Sequence, residues 1–170
     1  MKIDFKNSPK AANTHTTTRV ITMISLLFGG EKASKKSIRE EYKLLREAGY
    51  SDKVIELYEK KVNVGLIINP NVVLAYTGSC GDTMKIYLRI GGSGIIENAK
   101  FQYLGCPGAA ASGSAITAIA KGKKLEDAKN ITEQDILNEL GGLPESKLHC
   151  PKLAVTTLRK AIEQYEKQSG

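Results

Sequence analysis

Two helices are predicted near the start of the chain from the spacing of apolar residues. Apolar side chains recur every three or four positions over Ser34–Ala48, and Gly49 follows this stretch. The same helical spacing returns after Ser51, a residue type that commonly caps a helix N-terminus. The first 62 residues therefore contain two helices separated by a short break at Gly49.

Beyond Pro70 the apolar residues alternate with polar ones, which is the period of a half-buried β-strand. Three strands are predicted, over Val72–Thr77, Thr83–Ile90 and Ile95–Leu104. The strands are joined by short glycine-containing turns, so we expect antiparallel hairpins rather than crossover connections.

Helical spacing resumes after the third strand. Three more helices are predicted, over Pro107–Lys121, from the cap at Thr132 to Leu140, and over Cys150–Lys167. Helices, then strands, then helices is the order expected for an α+β domain.

Composition restricts the class of protein. The chain has 170 residues, of which 41% are hydrophobic and 25% charged, as in soluble globular domains. Three cysteines are too few for a disulfide scaffold and leave at least one thiol unpaired, so we expect a reducing compartment. The longest apolar stretch, Val20–Phe28, is nine residues long and contains hydroxyl groups, which excludes a transmembrane helix.

The positive charge is concentrated toward the N-terminus. The formal net charge is +7, and residues 1–62 hold 13 bases against 8 acids, a net of +5. We interpret this excess as a solvated basic face rather than a nucleic-acid-binding surface. Residues 1–30 have one acid and many hydroxyl groups, a weak resemblance to a transit peptide, and we interpret them as a poorly ordered arm. We expect a cytoplasmic protein, with the matrix of a mitochondrial-type organelle as the alternative.

Two of the three cysteines precede prolines at predicted helix starts. Cys106 is followed by Pro107 and Cys150 by Pro151, and proline is favoured at the first position of a helix. The unpaired N–H groups and positive partial charge of a helix N-terminus favour thiolate over thiol. We therefore expect both cysteines to be activated as nucleophiles or metal ligands.

The third cysteine lies in a turn between two predicted strands. Cys80 and Asp82 flank Gly81, and His149 directly precedes Cys150. Three thiolates with an imidazole or a carboxylate are sufficient for a [2Fe–2S] cluster or for tetrahedral zinc. Spacing alone leaves an alternative open, in which the cysteines are small core residues, His149 is a surface side chain and Asp82 is an ordinary turn residue.

The motifs of residues 50–168 resemble those of the iron–sulfur cluster assembly scaffolds, the IscU proteins and the N-terminal domain of NifU. The resemblance lies in the opening helix and in the three segments that contain the cysteines: Tyr50–Ile55 with Asn63-Val64-Gly65, Cys80-Gly81-Asp82, Gly105-Cys106 with Ala109–Ser112, and Leu143-Pro144 with Lys147–Cys150. It implies a three-stranded antiparallel sheet packed by helices.

The resemblance further implies a carrier of a [2Fe–2S] cluster rather than an enzyme. In this family a cysteine desulfurase supplies sulfur, iron joins it, and the cluster passes to acceptor apo-proteins with the help of Hsp70 and J-type chaperones. The implied ligands are Cys80, Cys106 and Cys150, completed by Asp82 or His149, and Cys150 is the expected persulfide acceptor. A structural zinc protein or a regulator of cluster assembly with the same ligands is the alternative.

Two parts of the chain depart from the family pattern. The family's Leu-Pro-Pro-Val-Lys chaperone motif is replaced by Leu143-Pro144-Glu145-Ser146-Lys147, so chaperone dependence is left open. We divide the chain into an N-terminal extension over residues 1–49 and a scaffold domain over residues 50–170. The extension has no counterpart in the family, and we leave open whether it covers the ligand face, forms a homodimer or binds a partner.

Overall fold

The computed structural model describes residues 30–169, with side chains from Arg39 onward. It contains six α-helices and three strands in these residues: α1 (Gly30–Glu47), α2 (Asp52–Lys60), β1 (Val72–Thr77), β2 (Thr83–Ile90), β3 (Ile96–Leu104), α3 (Pro107–Ala120), α4 (Leu125–Lys129), α5 (Glu133–Leu140) and α6 (His149–Ser169). A short 3-10 turn, Glu145–Lys147, precedes α6. The arm predicted over residues 1–30 lies outside the described residues, apart from Gly30. None of the described helices is long and apolar enough to cross a membrane.

The chain divides into two compact units, and the boundary lies between Glu41 and Tyr42. Of the first unit only the part of α1 up to Glu41 is described. The second unit, from Tyr42, contains the sheet, α2 to α6 and the last turns of α1.

The sheet has the strand order β1-β2-β3 and both pairs are antiparallel, as predicted. The inward residues of β2, Met84, Ile86, Leu88 and Ile90, are buried, as the two-residue alternation predicts. Tyr87 departs from the alternation: it belongs to the outward set but is only 8% exposed. The Arg89 guanidinium donates to the carbonyls of Ile68 and Asn69, so the loop after α2 lies over this face of the sheet.

Helices cover the inner face of the sheet. α6 packs against β1 and β2, and α3 packs against β3 and α6. Gly113 permits the close approach of α3, because a Cβ there would lie 2.2 Å from the Phe101 ring of β3. The fold is therefore the predicted α+β arrangement, a three-stranded sheet with helices on one face.

Candidate metal centre

The strand register brings the first two cysteine segments together. Thr83, the first residue of β2, pairs with Leu104, the last residue of β3. The β1–β2 turn, which contains Cys80 and Asp82, therefore lies beside the segment that leads from β3 into α3. Cys106 is the N-cap of α3, and its backbone N–H lies 3.4 Å from Oδ2 of Asp82.

The start of α6 supplies the remaining candidate ligands. α6 begins at His149, one residue before the predicted start at Cys150, so Cys150 is its second residue and Pro151 its third. Proline is tolerated there because the first four N–H groups of a helix have no partner within the helix.

The five predicted ligands form two overlapping groups. In the first group the ligand atoms of Cys80, Asp82 and His149 all lie within 4.8 Å of one another. In the second group the same holds for Asp82, Cys106 and Cys150. Asp82 belongs to both groups, because it lies on the turn between Cys80 and the two helix starts. The structure thus brings together every residue that the sequence proposed as a ligand.

The Cys106–Cys150 pair has the spacing of two ligands on one metal ion. Their sulfur atoms lie 3.5 Å apart. Two sulfurs on one tetrahedral ion, each about 2.3 Å from the metal, are separated by about 3.8 Å. Thiolates with one carboxylate and one imidazole suit either iron in a sulfide-bridged cluster or zinc, so the donor chemistry fits both candidate cargoes.

Two glycines keep space open around these donors. A Cβ at Gly105 would lie 2.5 Å from Cγ of Asp82, and one at Gly108 would lie 3.2 Å from Sγ of Cys150. Neither glycine has a positive φ, so the backbone does not require glycine at these positions. Their role is to leave room for the carboxylate and the thiols.

Cys106 is the activated thiol of the pair. A hydrogen bond from the Cys150 thiol lowers the pKa of Cys106 to about 6, against the opposing effect of burial. The Ala109 N–H of the α3 N-terminus adds a smaller lowering, in agreement with the prediction from the helix start. Cys106 is therefore the more readily deprotonated thiol of the pair.

At Cys150 the lowering of the pKa expected from a helix start is absent. Its pKa is raised, first because its thiol donates to Cys106 and next because it is buried, with 0% exposure. The negative charges of Cys106, Asp82 and Cys80 raise it further. Burial and neighbouring negative charges outweigh the favourable helix N-terminus.

Tyr50 is a neighbour of the thiols that sequence reasoning did not place at the site. Its side chain is 8% exposed, and burial together with Cys106 and Cys150 raises its pKa to about 12. It occurs in the opening motif Tyr50–Ile55, but the spacing gave no indication that the phenol reaches the thiols.

The segment with the degenerate chaperone motif leads directly into the centre. Leu143 packs against the core, and a Cβ at Gly49 would lie 3.7 Å from Cγ of Pro144. Lys147 ends the 3-10 turn, two residues before His149. A Cβ added at Gly108 would lie 3.5 Å from the Cβ of Lys147.

Comparisons with known proteins agree with this architecture. The sequence profile of the family described as "NifU-like N terminal domain" matches residues 49–170. The chain is 43% identical over 121 residues to the "Iron-sulfur cluster assembly scaffold protein IscU" of Escherichia coli K12, which covers 69% of this chain and 94% of that protein. It is 41% identical over 125 residues to the protein of the same name from Azotobacter vinelandii, covering 71% of this chain and 97% of that one.

Solved structures share the fold. A NifU-like N-terminal protein from Brucella abortus superimposes with a TM-score of 0.58 at 16% identity, covering 73% of this chain and 99% of that one. A structure described as a putative iron–sulfur cluster assembly scaffold protein for the SUF system, from Fervidobacterium islandicum, gives 0.55 at 24% identity and covers 66% and 96%.

Proposed function

Because the chain belongs to the family of the NifU-like N-terminal domain and IscU scaffolds, we propose that it assembles a [2Fe–2S] cluster and transfers it to acceptor apo-proteins. The observation that carries the proposal is Asp82, whose carboxylate belongs to two groups of thiolate and imidazole donors at once. Two overlapping groups of ligands suit a cargo with two metal ions, and a closed structural site needs only one group of four.

In this proposal the ligands are Cys80, Cys106 and Cys150, and Asp82 or His149 completes the set. A hard carboxylate is a poor match for sulfide-bridged iron, so Asp82 is the more readily replaced ligand. Such a ligand suits a cluster that has to leave. The protein's own contribution is to hold the donors, and the sulfur comes from a partner cysteine desulfurase.

Sulfur delivery to Cys150 has a structural requirement. Cys150 is 0% exposed, whereas Cys80 lies exposed on its turn. A desulfurase persulfide therefore reaches Cys150 only if the residues that cover this thiol move aside. Mass spectrometry of the alkylated protein after reaction with desulfurase and cysteine, before iron is added, locates the persulfide. We expect it on Cys150.

Chaperone dependence is proposed to be weak. The motif retains Leu143, Pro144 and Lys147, but a charged Glu145 and a polar Ser146 replace the family's second proline and its valine. An apolar chaperone groove binds such a segment less favourably. Stimulation of Hsp70 ATPase by this chain should be smaller than stimulation by a relative with the full motif.

The test of the proposed function is anaerobic reconstitution. The protein is incubated with ferrous iron, cysteine and a pyridoxal-phosphate cysteine desulfurase, and iron, sulfide and visible absorption are measured. We expect about two irons per site, the content of a [2Fe–2S] cluster. Cys106→Ser should lose the absorption, whereas Ser79→Ala, an exposed neighbour of Cys80, should retain it. Protein that takes up zinc and never develops sulfide-bridged absorption contradicts the proposal.

Two further measurements separate the alternatives. Asp82→Ala should slow cluster transfer to an apo-ferredoxin, and an unchanged rate excludes Asp82 as the labile ligand. If a chelator unfolds the protein as followed by circular dichroism, a structural zinc site is favoured, because structural zinc contributes directly to the free energy of folding.

A further inference from the structure

The outer edge of β1 has no strand beside it among the described residues. The sheet order is β1-β2-β3, so within residues 30–169 β1 pairs on one side only. In an antiparallel strand about half of the backbone N–H and C=O groups point away from the paired neighbour. β1 (Val72–Thr77) contains neither a charged residue nor a proline, and the nearest proline, Pro70, lies two residues before the strand. It lacks the charges that commonly protect an edge strand from pairing.

A groove runs between this edge and α6. It consists of two clefts, each lined by residues of both β1 and α6: one of about 200 Å³ beside Tyr76 and one of about 470 Å³ beside Leu74. The two clefts are neighbours, because the Nζ of Lys160, which lines the second, lies 5.4 Å from the centre of the Tyr76 ring, which lines the first. We call this feature the edge groove, lined by Leu74, Tyr76, Lys152, Lys160, Glu163 and Lys167.

The charge of the edge groove is predominantly positive. Lys152, Lys160 and Lys167 are spaced by eight and seven residues, about two helical turns, so they form one stripe along α6. All three are exposed, and Glu163 is the one acid among the residues that line the two clefts. A ligand of this groove is therefore expected to be anionic.

We propose that the edge groove binds an extended acidic segment of a partner protein, which pairs with β1 as a fourth strand. The open backbone edge requires an extended peptide, since only a strand satisfies its alternating N–H and C=O groups. Inward side chains of the added strand enter the two clefts beside Leu74 and Tyr76, where acidic residues meet the lysine stripe. The six residues of β1 give a contact about 20 Å long.

The position of the edge groove indicates what kind of partner binds there. The cleft beside Tyr76 also includes Cys80 and His149, so the groove leads directly to one of the two groups of metal donors. A protein held by this groove is placed to receive cargo from the centre or to deliver it. Peptide binding itself needs no metal, so its test is independent of the reconstitution experiment.

The probe is a fluorescent peptide of about ten residues in which aspartate alternates with valine, a length sufficient to pair with one strand. Binding to the full-length chain is followed by fluorescence anisotropy. Lys160→Glu and Lys167→Glu should each weaken binding by roughly three- to tenfold, and more at low than at high salt. The matched control is Lys121→Glu, an exposed lysine at the end of α3, which should bind as the unchanged protein does.

Three peptide controls identify strand addition. N-methylation of alternate residues removes the donors that face β1 and should weaken binding at least about tenfold. Replacing aspartate with asparagine tests the charge, and added oligothymidylate tests for a general polyanion site. Amide hydrogen exchange at β1 should slow when the unmethylated peptide is bound.

Two results would overturn the proposal. The first is that no binding is detected at about 1 mM peptide, a concentration at which even a very weak interaction would be seen. The second is binding that N-methylation leaves unchanged and oligothymidylate competes away, which identifies a polyanion site instead. Neither result bears on cluster assembly, which is measured separately by reconstitution.

Discussion

The substitution Gly105→Ala tests whether the placement of Asp82 controls metal binding. A Cβ on this residue would lie 2.5 Å from Cγ and 2.7 Å from Oδ2 of Asp82. Non-bonded carbon atoms rest about 3.5–4.0 Å apart, so the carboxyl group has to retreat by about 1 Å. Gly105 has no positive φ, so alanine adopts the same backbone and the effect is confined to this contact.

A displacement of this size is large for a metal ligand. Ligand distances at a metal site hold within about 0.2 Å, so a carboxylate moved by about 1 Å no longer serves either group of donors. We expect metal affinity to fall at least about tenfold, the lower end for disturbing a group that supports a metal site. The free energy of unfolding should change by less than about 1 kcal/mol, because Asp82 is partly exposed and can rotate toward solvent.

The assay is an anaerobic Co²⁺ titration, in which thiolate-to-metal absorption reports binding and a competing chelator sets the affinity range. Gly92→Ala is the matched control, since a Cβ there meets no atom within 4 Å and its φ is not positive. A double-mutant cycle isolates the mechanism: in an Asp82→Ala background, Gly105→Ala should cause no further loss.

Two outcomes would refute the reasoning. Wild-type affinity in Gly105→Ala shows that the carboxylate position does not limit metal binding. An equal loss in both backgrounds shows that the alanine acts on something other than Asp82.

Three further predictions concern the core and the thiols. Gly113→Ala should lower the free energy of unfolding in urea by about 1–3 kcal/mol, because its Cβ would overlap the Phe101 ring at 2.2 Å; an unchanged midpoint contradicts the packing of α3 on β3. Ser112→Ala should leave stability unchanged or raise it, since the buried Ser112 Oγ has no hydrogen-bond partner; a loss above about 1 kcal/mol would reveal a partner. In metal-free protein, iodoacetamide should modify Cys80 well before Cys150, measured by peptide mass spectrometry, because Cys80 is exposed and Cys150 buried; equal rates contradict this difference in access.

The strands were predictable because their alternation is local. β1 and β2 have the predicted bounds, and β3 begins one residue later, at Ile96. The short helix α4 was not predicted, because only five residues form it and contacts distant in sequence hold it. The Leu125 N–H donates to the Gly94 carbonyl and the Ile96 N–H to the Lys123 carbonyl, so the turn after β2 holds the start of α4. Neither contact leaves a pattern in the sequence of α4 itself.

The identity of the ligands was predictable from residue type and helix starts, but their environment was not. Both Cys106 and Cys150 precede proline at a helix start, and that local likeness predicts the same chemistry for both. Their chemistry differs because α6 packs against β1 and β2 and buries Cys150, whereas Cys106 remains partly exposed at the tip of α3. The hydrogen bond between the two sulfurs, 3.5 Å apart, then lowers the pKa of the partly exposed Cys106 and raises that of the buried Cys150. The difference between the two thiols is therefore a property of the tertiary packing, and no motif around either cysteine encodes it.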